Sequence, residues 1–428
     1  MQHKKRIVVL GGGFAGLNFV KNIDKRLFDV VLVDSNNYNS FPPLFYQIAS
    51  SGLGPDSICF PFRRELMKGK AKGAEFHIGT IEKVDIAGKY VKTQFEEIYY
   101  DLLVVAVGTT NNFFGNESLR DTVYTIKSTA QAMRCRDEIL DRLERASLCR
   151  DPIQRRKMLS FTVVGGGPAG VEIAGALGEM KKYILHRNYP SIPPEDVSLT
   201  LLEGTDKLLG SMSQSSQEDA SKYLDQLMVD VKLGHTMNSY ENNIVTLDDG
   251  KQYYSEMLIW TAGVKGVEIP VSVGSFPLGK GGRIKVDKYN RVVGFESDIF
   301  ALGDISIMTT PDYPHGHPQL AQVAIQQARN LAKNLNAEKF KYDFKYKDKG
   351  TMATIGRNRA VADIKSTHLT GIFAWFVWMF IHLISLLGMR NKINVFIDWI
   401  WGYFNYGTSL RLLLYPSKYP LKWHWGEK

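Results

Sequence analysis

Two stretches of the chain follow the same order of apolar and polar positions. In each, an apolar run (residues 7–10 and residues 161–164) leads directly into glycines, and a helical period follows. A second run in each stretch, at residues 30–33 and 198–202, ends at an acidic residue. Continuous apolar runs bounded by turn residues are typical of strands buried in a parallel sheet. The pattern therefore predicts an α/β fold.

A later apolar run in each stretch indicates an internal repeat. Residues 102–109 and 257–263 both end in small residues, which include Gly108 and Gly263, about 95 residues after the preceding glycine turn. Self-similarity at a fixed distance predicts two copies of one α/β unit. Three prolines between residues 181 and 196 indicate an insertion in the second copy.

The glycines of both turns have the spacing G-x-G-x-x-G, the fingerprint of a dinucleotide-binding turn. Glycine permits the tight bend, the close approach of backbone to pyrophosphate and close helix packing, while the acid after the second strand can bind ribose hydroxyls. The residues concerned are Gly11, Gly13, Gly16 and Asp34 in the first copy, and Gly165, Gly167, Gly170 and Glu203 in the second. Two fingerprints predict two dinucleotides. Because no arginine directly follows Glu203, the second site favours NAD(H) over NADP(H).

Composition excludes several other classes of protein. Hydrophobic residues make up 44% of the 428 residues and charged residues 23%, which is typical of a globular chain and not of a disordered or polytopic membrane protein. The three cysteines, Cys59, Cys135 and Cys149, form no C-x-x-C pair, and His315, His317 and His382 are scattered. We therefore predict neither a disulfide scaffold nor a metal site.

The net charge of +9 is concentrated in the C-terminal region. Residues 365–428 carry seven Lys or Arg against two acids, together with six of the seven tryptophans, and residues 366–389 carry no charge. This composition is typical of a membrane-surface element rather than of a nucleic-acid binder, so we predict membrane contact through residues 366–428 and no nucleic-acid partner. A helix over residues 369–389 would be roughly 31 Å long, just enough to span a bilayer. Its aromatic content favours attachment to one membrane face over a span or a soluble dimer interface.

Further motifs complete a resemblance to a known family. They are a strand that ends in Gly-Asp at residues 298–304, the sequence PPLFYQ at residues 42–47, the sequence AQVAIQQ at residues 321–327, and the aromatic, basic C-terminus. With both fingerprints, these motifs make the chain similar to flavoproteins with two dinucleotide-binding domains, and among them to the type II NADH:quinone oxidoreductases.

The resemblance implies a domain organisation. It consists of two Rossmann-like domains in a glutathione-reductase-like arrangement, followed by a C-terminal helical membrane-attachment region. The FAD-binding domain would be discontinuous, at residues 1–115 and 285–345, with the NADH-binding domain at residues 116–284. Residues 346–428 would form the membrane-anchoring region.

The resemblance also implies the residues of the sites. Those for FAD are Gly11, Gly13, Phe14, Ala15, Gly16, Asp34, Ser35, Ile81, Gly108, Asp304, Ala321 and Gln322. Those for NADH are Gly165, Gly167, Gly170, Glu172, Glu203 and Gly263. Gln47, Gln322 and Gln326 would face the quinone, and Glu172, Gln322 and Gln326 would have catalytic roles.

Residue chemistry alone leaves a second interpretation of these polar groups open. Gln322 and Gln326 are four apart on a helix predicted over residues 318–333, where they could simply be solvated; the N-terminus of that helix could instead stabilise the anion of a reduced flavin. Glu172 in the first helical turn could compensate the helix dipole. A proton relay would instead require a raised pKa in a poorly solvated site.

The expected reaction is the oxidation of NADH through FAD with two-electron reduction of a membrane quinone, menaquinone or ubiquinone. Such an enzyme would feed a respiratory chain without pumping protons, at the cytoplasmic face of the cell membrane, and a homodimer stays open. One alternative is a sulfide:quinone oxidoreductase, which needs cysteines beside the flavin. The other is a redox-sensing flavoprotein that acts as a binding module.

Overall fold

The computed structural model describes residues 4–272, 274–405 and 411–413. Residues 4–115 contain β1 (Lys5–Leu10), α1 (Phe14–Asn22), β2 (Phe28–Asp34), β3 (Tyr38–Ser40), α2 (Phe45–Ala49), α3 (Pro55–Ile58), β4 (Cys59–Pro61), α4 (Phe62–Leu66), β5 (Glu75–Ile78), β6 (Ile81–Asp85), β7 (Tyr90–Thr93), β8 (Glu97–Tyr99), β9 (Leu102–Val105) and β10 (Thr109–Asn111). The next stretch contains α5 (Leu119–Thr122), β11 (Tyr124–Thr125), α6 (Thr129–Leu148), α7 (Pro152–Met158), β12 (Ser160–Val164), α8 (Pro168–Glu179), α9 (Leu185–Asn188), β13 (Ser198–Glu203), α10 (Gln214–Gln226), β14 (Asp230–Leu233), β15 (Met237–Glu241), β16 (Ile244–Leu247), β17 (Gln252–Tyr254), β18 (Met257–Trp260), β19 (Val264–Gly266), β20 (Leu278–Gly279) and β21 (Arg283–Lys285). The rest contains β22 (Ile299–Ala301), β23 (Ser306–Ile307), α11 (Ala321–Asn336), β24 (Thr351–Thr354), β25 (Ala360–Ile364), β26 (Thr367–Thr370), α12 (Gly371–Ser385) and α13 (Met389–Asn405).

Two five-stranded parallel sheets confirm the internal repeat. The first has the order β22-β9-β1-β2-β5 and the second the order β11-β18-β12-β13-β14. In both, the strand before the glycine turn is central and pairs with the strand that ends in the acid on one side and with the later apolar strand on the other. The central strands are buried on both faces, as their continuous apolar runs predict. Strand β22, almost 200 residues after β9, completes the first sheet.

Each glycine turn can be built only with glycine at its first position. Gly11 has φ +93°, and a Cβ there would lie 2.5 Å from the carbonyl oxygen of Ala106. Gly165 has φ +110°, and its Cβ would lie 2.8 Å from the backbone nitrogen of Ala262. Side chains are disfavoured at such φ values, so both turns bend tightly at the carboxyl edge of the sheet and place the N-termini of α1 and α8 there.

Helix α11 does not begin at Pro318, as the sequence predicts, but at Ala321. Leu320 is extended (φ −125°, ψ 144°), so the helix starts after it and continues to Asn336. Helix α11 packs along α1, and the two N-termini converge on the Gly-Asp turn after β22. A Cβ on Gly303 would lie 3.1 Å from Cβ of Ala15 and 3.2 Å from Cβ of Ala324.

The C-terminal region is a three-stranded antiparallel sheet, β24-β25-β26, followed by two helices. The single helix predicted over residues 369–389 is wrong, because Thr367–Thr370 pairs with β25 and the chain breaks between α12 and α13. At the break Leu386 is extended (φ −62°, ψ 149°) and Gly388 has φ +74°. No helix in the described part of the chain is long and apolar enough to cross a membrane. The predicted membrane residues 406–410 and 414–428 lie outside the described residues.

Helix α8 joins the C-terminal sheet to the second parallel sheet. A Cβ on Gly175 would lie 3.1 Å from backbone atoms of Ile355 and Gly356, so glycine lets α8 pack directly against the end of β24. On its other side, α8 contacts α2. Residues on α8 therefore lie where the two nucleotide-binding units and the C-terminal region meet.

Candidate functional site

The acids at the ends of β2 and β13 are held in the same way by their glycine turns. Asp34 Oδ2 accepts a hydrogen bond from the Gly12 N–H at 2.7 Å, and Glu203 Oε2 accepts one from the Gly166 N–H at 2.5 Å. In both residues the second carboxylate oxygen accepts from the backbone N–H two residues later, at 2.8 Å. Each carboxylate is thus fixed at the turn, where the adenosine ribose of a dinucleotide lies in folds of this type.

The glycines at the third and sixth positions of each fingerprint differ in the space around them. A Cβ on Gly13 or Gly167 would meet nothing within 4 Å. A Cβ on Gly16 would lie 1.9 Å from the carbonyl oxygen of Gly11, and one on Gly170 would lie 1.8 Å from that of Gly165. Gly16 and Gly170 are therefore required by the protein itself, whereas Gly13 and Gly167 leave an open cradle that fits a pyrophosphate.

The Gly-Asp turn after β22 places Asp304 beside the N-terminus of α11. Burial raises the pKa of Asp304, and the positive charges of Lys127 and Arg283 oppose that rise. Gln327 is buried, and its Oε1 accepts the Gly303 N–H at 2.7 Å, so this glutamine fixes the turn. Neither Lys127 nor Gln327 is among the site residues predicted from the sequence.

The other residues predicted for the cofactors lie at the ends of strands and helices or directly after them. Phe14 and Ala15 open α1, Ser35 is exposed directly after β2, Ile81 begins β6, Ala321 opens α11, and Gly108 and Gly263 have φ values of +73° and +71° after β9 and β18. The matching positions of Gly108 and Gly263 are a further consequence of the internal repeat.

Gln322 and Gln326 lie on one face of α11, but their amides bind backbone. Gln322 donates to the carbonyl oxygen of Gly350 at 3.1 Å and accepts from the Lys349 N–H at 2.9 Å. Gln326 donates to the carbonyl oxygen of Lys347 at 2.9 Å and accepts the N–H of the same residue at 3.0 Å. The two side chains therefore pair with the segment that leads into β24, and they are not merely solvated.

Glu172 lies in the second turn of α8 and not, as the sequence suggests, in the first. It is buried at 8% exposure, and its Oε1 accepts a long bond of 3.5 Å from the Thr354 N–H. Burial raises its pKa to about 8, which outweighs the opposing effects of the Thr354 N–H and the Trp378 indole. Compensation of the helix dipole is therefore not its role, and the carboxyl group has the raised pKa that a proton relay requires.

A cavity of about 150 Å³ lies between α2, α8, α12 and α13. Its walls combine aromatic and polar side chains, among them Tyr46, Gln47, Trp375, Trp378, Trp399, Glu179 and Asp398. Gln47, which the sequence assigns to the quinone, lines this cavity, whereas Gln322 and Gln326 do not. Sequence reasoning missed Tyr46, although it is part of the PPLFYQ motif, because nothing in the motif distinguishes its hydroxyl from that of a core tyrosine.

Arg357 connects the polar end of this cavity to the end of α13. Its guanidinium donates to the carbonyl oxygens of Gly402 and Tyr403, and its Nε lies 3.8 Å from Glu179 Oε1. Its backbone N–H donates to the same Glu179 oxygen at 3.0 Å. The pKa of Glu179 is raised by burial, against the charge of Arg357. This arginine binds the carbonyl end of one helix and a carboxylate of another, which holds α13 over the cavity.

Two polar residues of helix α13 bond to the first nucleotide-binding unit. Asn391 donates to the Cys59 carbonyl oxygen at 3.0 Å, and Asp398 accepts from Ser57 Oγ at 3.2 Å. The opposite faces of α13 and α12 expose large apolar side chains, namely Ile372, Phe373, Phe376, Phe380, Ile384, Met389, Ile393, Phe396, Ile397, Ile400, Trp401 and Phe404. We call this surface the apolar face. A contiguous exposed apolar patch of this kind is typical of a membrane or protein contact.

Comparisons with known proteins agree over nearly the whole chain. Residues 5–328 match the family described as pyridine nucleotide-disulphide oxidoreductase, and residues 349–405 match the NDH2 C-terminal domain. Two relatives from Mycobacterium tuberculosis, the type II NADH:quinone oxidoreductases Ndh and NdhA, are each 30% identical over 92% of this chain, and the matches cover 87% and 86% of the relatives.

Solved structures share the fold. NDH2 from Plasmodium falciparum in complex with NADH superposes with a TM-score of 0.85 at 23% identity, over 94% of this chain and 99% of the other. The sulfide:quinone oxidoreductase of Aquifex aeolicus superposes with a TM-score of 0.71 at 18% identity, over 94% and 96% of the two chains.

Proposed function

This chain belongs to the type II NADH:quinone oxidoreductases. On that premise, we propose which of its residues bind the cofactors and which supply a proton while two electrons pass from NADH to a quinone. The overall reaction is NADH + H⁺ + quinone → NAD⁺ + quinol. The first cradle would hold FAD, which would supply the chemistry that transfers two electrons from NADH to the quinone. The observation that carries the proposal is the second cradle, with Gly167 open and Glu203 fixed, because it provides the site that NADH requires.

The first cradle fits FAD. Gly13 leaves room for the pyrophosphate, Asp34 presents a fixed carboxylate to the ribose, and Asp304 lies where the convergence of α1 and α11 would place the flavin side of the cofactor. In the second cradle, Glu203 would accept from the free ribose hydroxyls of NADH, and its charge would repel a 2′-phosphate. Glu172 would supply a proton on the quinone side, because its raised pKa keeps it protonated near neutral pH.

We propose the domain limits given by the sequence: residues 1–115 with 285–345, then 116–284, then 346–428. Strand β22 supports the discontinuous first domain, since it pairs with β9. The antiparallel pair β10-β19 connects the two units, and the small sheet β20-β21-β23 crosses the limit at residue 285.

Sulfide chemistry is disfavoured by the thiols. Burial raises the pKa of both Cys59 and Cys135, so neither is an activated nucleophile, and Cys135 is completely buried on α6. Cys149 lies after the end of α6. These three cysteines do not provide the pair beside the flavin that a sulfide:quinone oxidoreductase needs.

Anaerobic flavin spectroscopy tests the function. We expect the purified holoenzyme to lose its oxidised flavin absorbance on addition of NADH and to recover it on addition of a quinone. Sulfide in place of NADH is expected to leave the spectrum unchanged. Flavin that stays oxidised under NADH, or that sulfide reduces faster, would refute the proposal.

We also propose that the apolar face rests on the cytoplasmic surface of the cell membrane, where NADH is available and a quinone can enter between α12 and α13. Replacing Phe373 and Phe380, which are 76% and 63% exposed, with glutamate should weaken binding to phosphatidylglycerol-containing vesicles by at least tenfold, because each buried phenyl ring is worth about 2 kcal/mol. Cosedimentation measures this change.

The matched control for that experiment is Phe95→Glu. Phe95 is 65% exposed but lies on the first domain, so its replacement should not alter vesicle binding. Activity with ferricyanide, a water-soluble acceptor, should be the same in all variants. Equal vesicle binding by the Phe373/Phe380 double variant and the wild type would contradict the proposed orientation.

A further inference from the structure

Three side chains form a directed chain of hydrogen bonds into the cavity. Trp399 Nε1 donates to Gln47 Oε1 at 2.8 Å, and Gln47 Nε2 donates to the hydroxyl oxygen of Tyr46 at 2.8 Å. An indole nitrogen can only donate, so Trp399 requires the oxygen of the Gln47 amide to face it. The amide nitrogen must then face Tyr46, and the orientation of the whole chain is fixed.

This orientation leaves the hydroxyl proton of Tyr46 for another acceptor. A tyrosine hydroxyl has one proton to donate, and the bond from Gln47 occupies its oxygen as an acceptor. Within the described residues, the hydroxyl makes no other hydrogen bond. The ring is 6% exposed and packs edge-on against Trp378 at 6.4 Å between centroids, which restricts its movement. Tyr46 nevertheless lines the cavity.

The environment also keeps that proton on the oxygen. Burial is the largest cause that raises the pKa of Tyr46 well above its usual range. A tyrosinate would be desolvated at this position, and Glu172 and Glu179 would repel it whenever they are ionised. Tyr46 is therefore a hydrogen-bond donor throughout the physiological pH range.

We propose that the Tyr46 hydroxyl donates a hydrogen bond to a carbonyl oxygen of the quinone head group, and that Gln47 and Trp399 are positioning residues for it. The inference rests on the proposed function. A quinone ring carries only acceptors as polar groups, so it fits a cavity with tryptophan walls and a directed donor. The bond strengthens as negative charge develops on the carbonyl oxygen during reduction, which favours the reduced state.

Tyr46→Phe removes the donor and keeps the ring. We expect kcat/KM for the quinone to fall at least tenfold, while NADH oxidation with ferricyanide stays within twofold of the wild type. If the wild-type holoenzyme does not reduce ferricyanide with NADH, the proposed function itself fails, at the NADH half of the reaction. If Tyr46→Phe keeps its ferricyanide activity and its quinone kcat/KM stays within twofold of the wild type, the proposed role of Tyr46 is overturned while the proposed function stands.

Two further measurements separate a directed bond from general loss of packing. A quinone labelled with ¹³C at its carbonyls should show a lowered carbonyl stretching frequency when bound to the wild-type holoenzyme, and a smaller lowering in Tyr46→Phe. Gln47→Leu as a single substitution should reduce kcat/KM for the quinone. In a protein that already carries Tyr46→Phe, the same substitution should cause no further reduction. An unshifted carbonyl band in the wild type, or additive effects of the two substitutions, would overturn the proposal.

Discussion

Replacing Gly167 with alanine is expected to raise the KM for NADH by roughly 100-fold while the fold and the bound flavin are retained. The new Cβ meets no protein atom within 4 Å, so the apoprotein accommodates it. It would project into the space that the pyrophosphate must enter and would hold the phosphates away from the backbone N–H groups. Losing one or two charge-assisted hydrogen bonds of about 1.5–3 kcal/mol each accounts for an effect of this size. Steady-state kinetics with ferricyanide as acceptor measure it.

The matched substitution is Gly170→Ala, three residues further along the same turn. Its Cβ would lie 1.8 Å from the Gly165 carbonyl oxygen, a backbone atom that cannot move without opening the turn. We expect this variant to lose the folded second domain, with a lowered Tm and little soluble protein. If both variants fold and differ little in KM, the open cradle is not the NADH site.

The parts of the molecule that the sequence predicted well are those that depend on neighbours close in the chain. The strands before Gly11 and Gly165, the helices after them and the acids Asp34 and Glu203 all lie within about 40 residues of each fingerprint. Their apolar runs, turns and spacing reflect physical requirements that are local. Because the same apolar runs, turns and spacing occur twice in the chain, the sequence also predicted the repeat, which the two parallel sheets confirm.

Helix limits near the C-terminus were less predictable, because tertiary pairing overrides local pattern. The local pattern at residues 369 and 370 is compatible with a helix, but both residues belong to β26 and pair with β25. The long uncharged run then divides at Leu386 because α13 must turn back to place Asn391 against the Cys59 carbonyl oxygen. An uncharged run predicts that a segment is apolar, but it does not predict where the helices within the segment begin and end.

The cavity could not be predicted because its residues are brought together over long distances in the chain. Gln47 and Trp399 are 352 residues apart, and Arg357 meets Glu179 across 178 residues. The resemblance identified Gln47 through its motif, but the roles of Tyr46 and Glu179 depend on the direction of hydrogen bonds and on burial. Those properties arise only when α2, α8 and α13 pack together.

Replacing Glu172 with glutamine is expected to lower quinone turnover about 100-fold, the usual contribution of a positioned proton donor, and to leave ferricyanide turnover unchanged. In the wild type, the pKa of about 8 predicts that quinone turnover falls as pH rises through 8, because the carboxyl group loses the proton it would donate. The variant should lack this alkaline limb. Exposed Glu75 provides the control, since Glu75→Gln should preserve both the rate and the pH profile.

Stability gives an independent measurement of the same proton. The folded protein holds the Glu172 proton up to pH about 8, whereas the unfolded chain releases it near 4.5, so the folded state binds more protons between these values. The free energy of unfolding should therefore decrease as pH rises through this window, by on the order of 5 kcal/mol in total. Glu172→Gln removes this titrating group. The free energy of unfolding of the variant should therefore decrease less with rising pH than that of the wild type. Parallel pH dependences for the two proteins in urea titrations would mean that Glu172 is ionised in the fold, and the carboxylate would then stabilise positive charge rather than supply a proton.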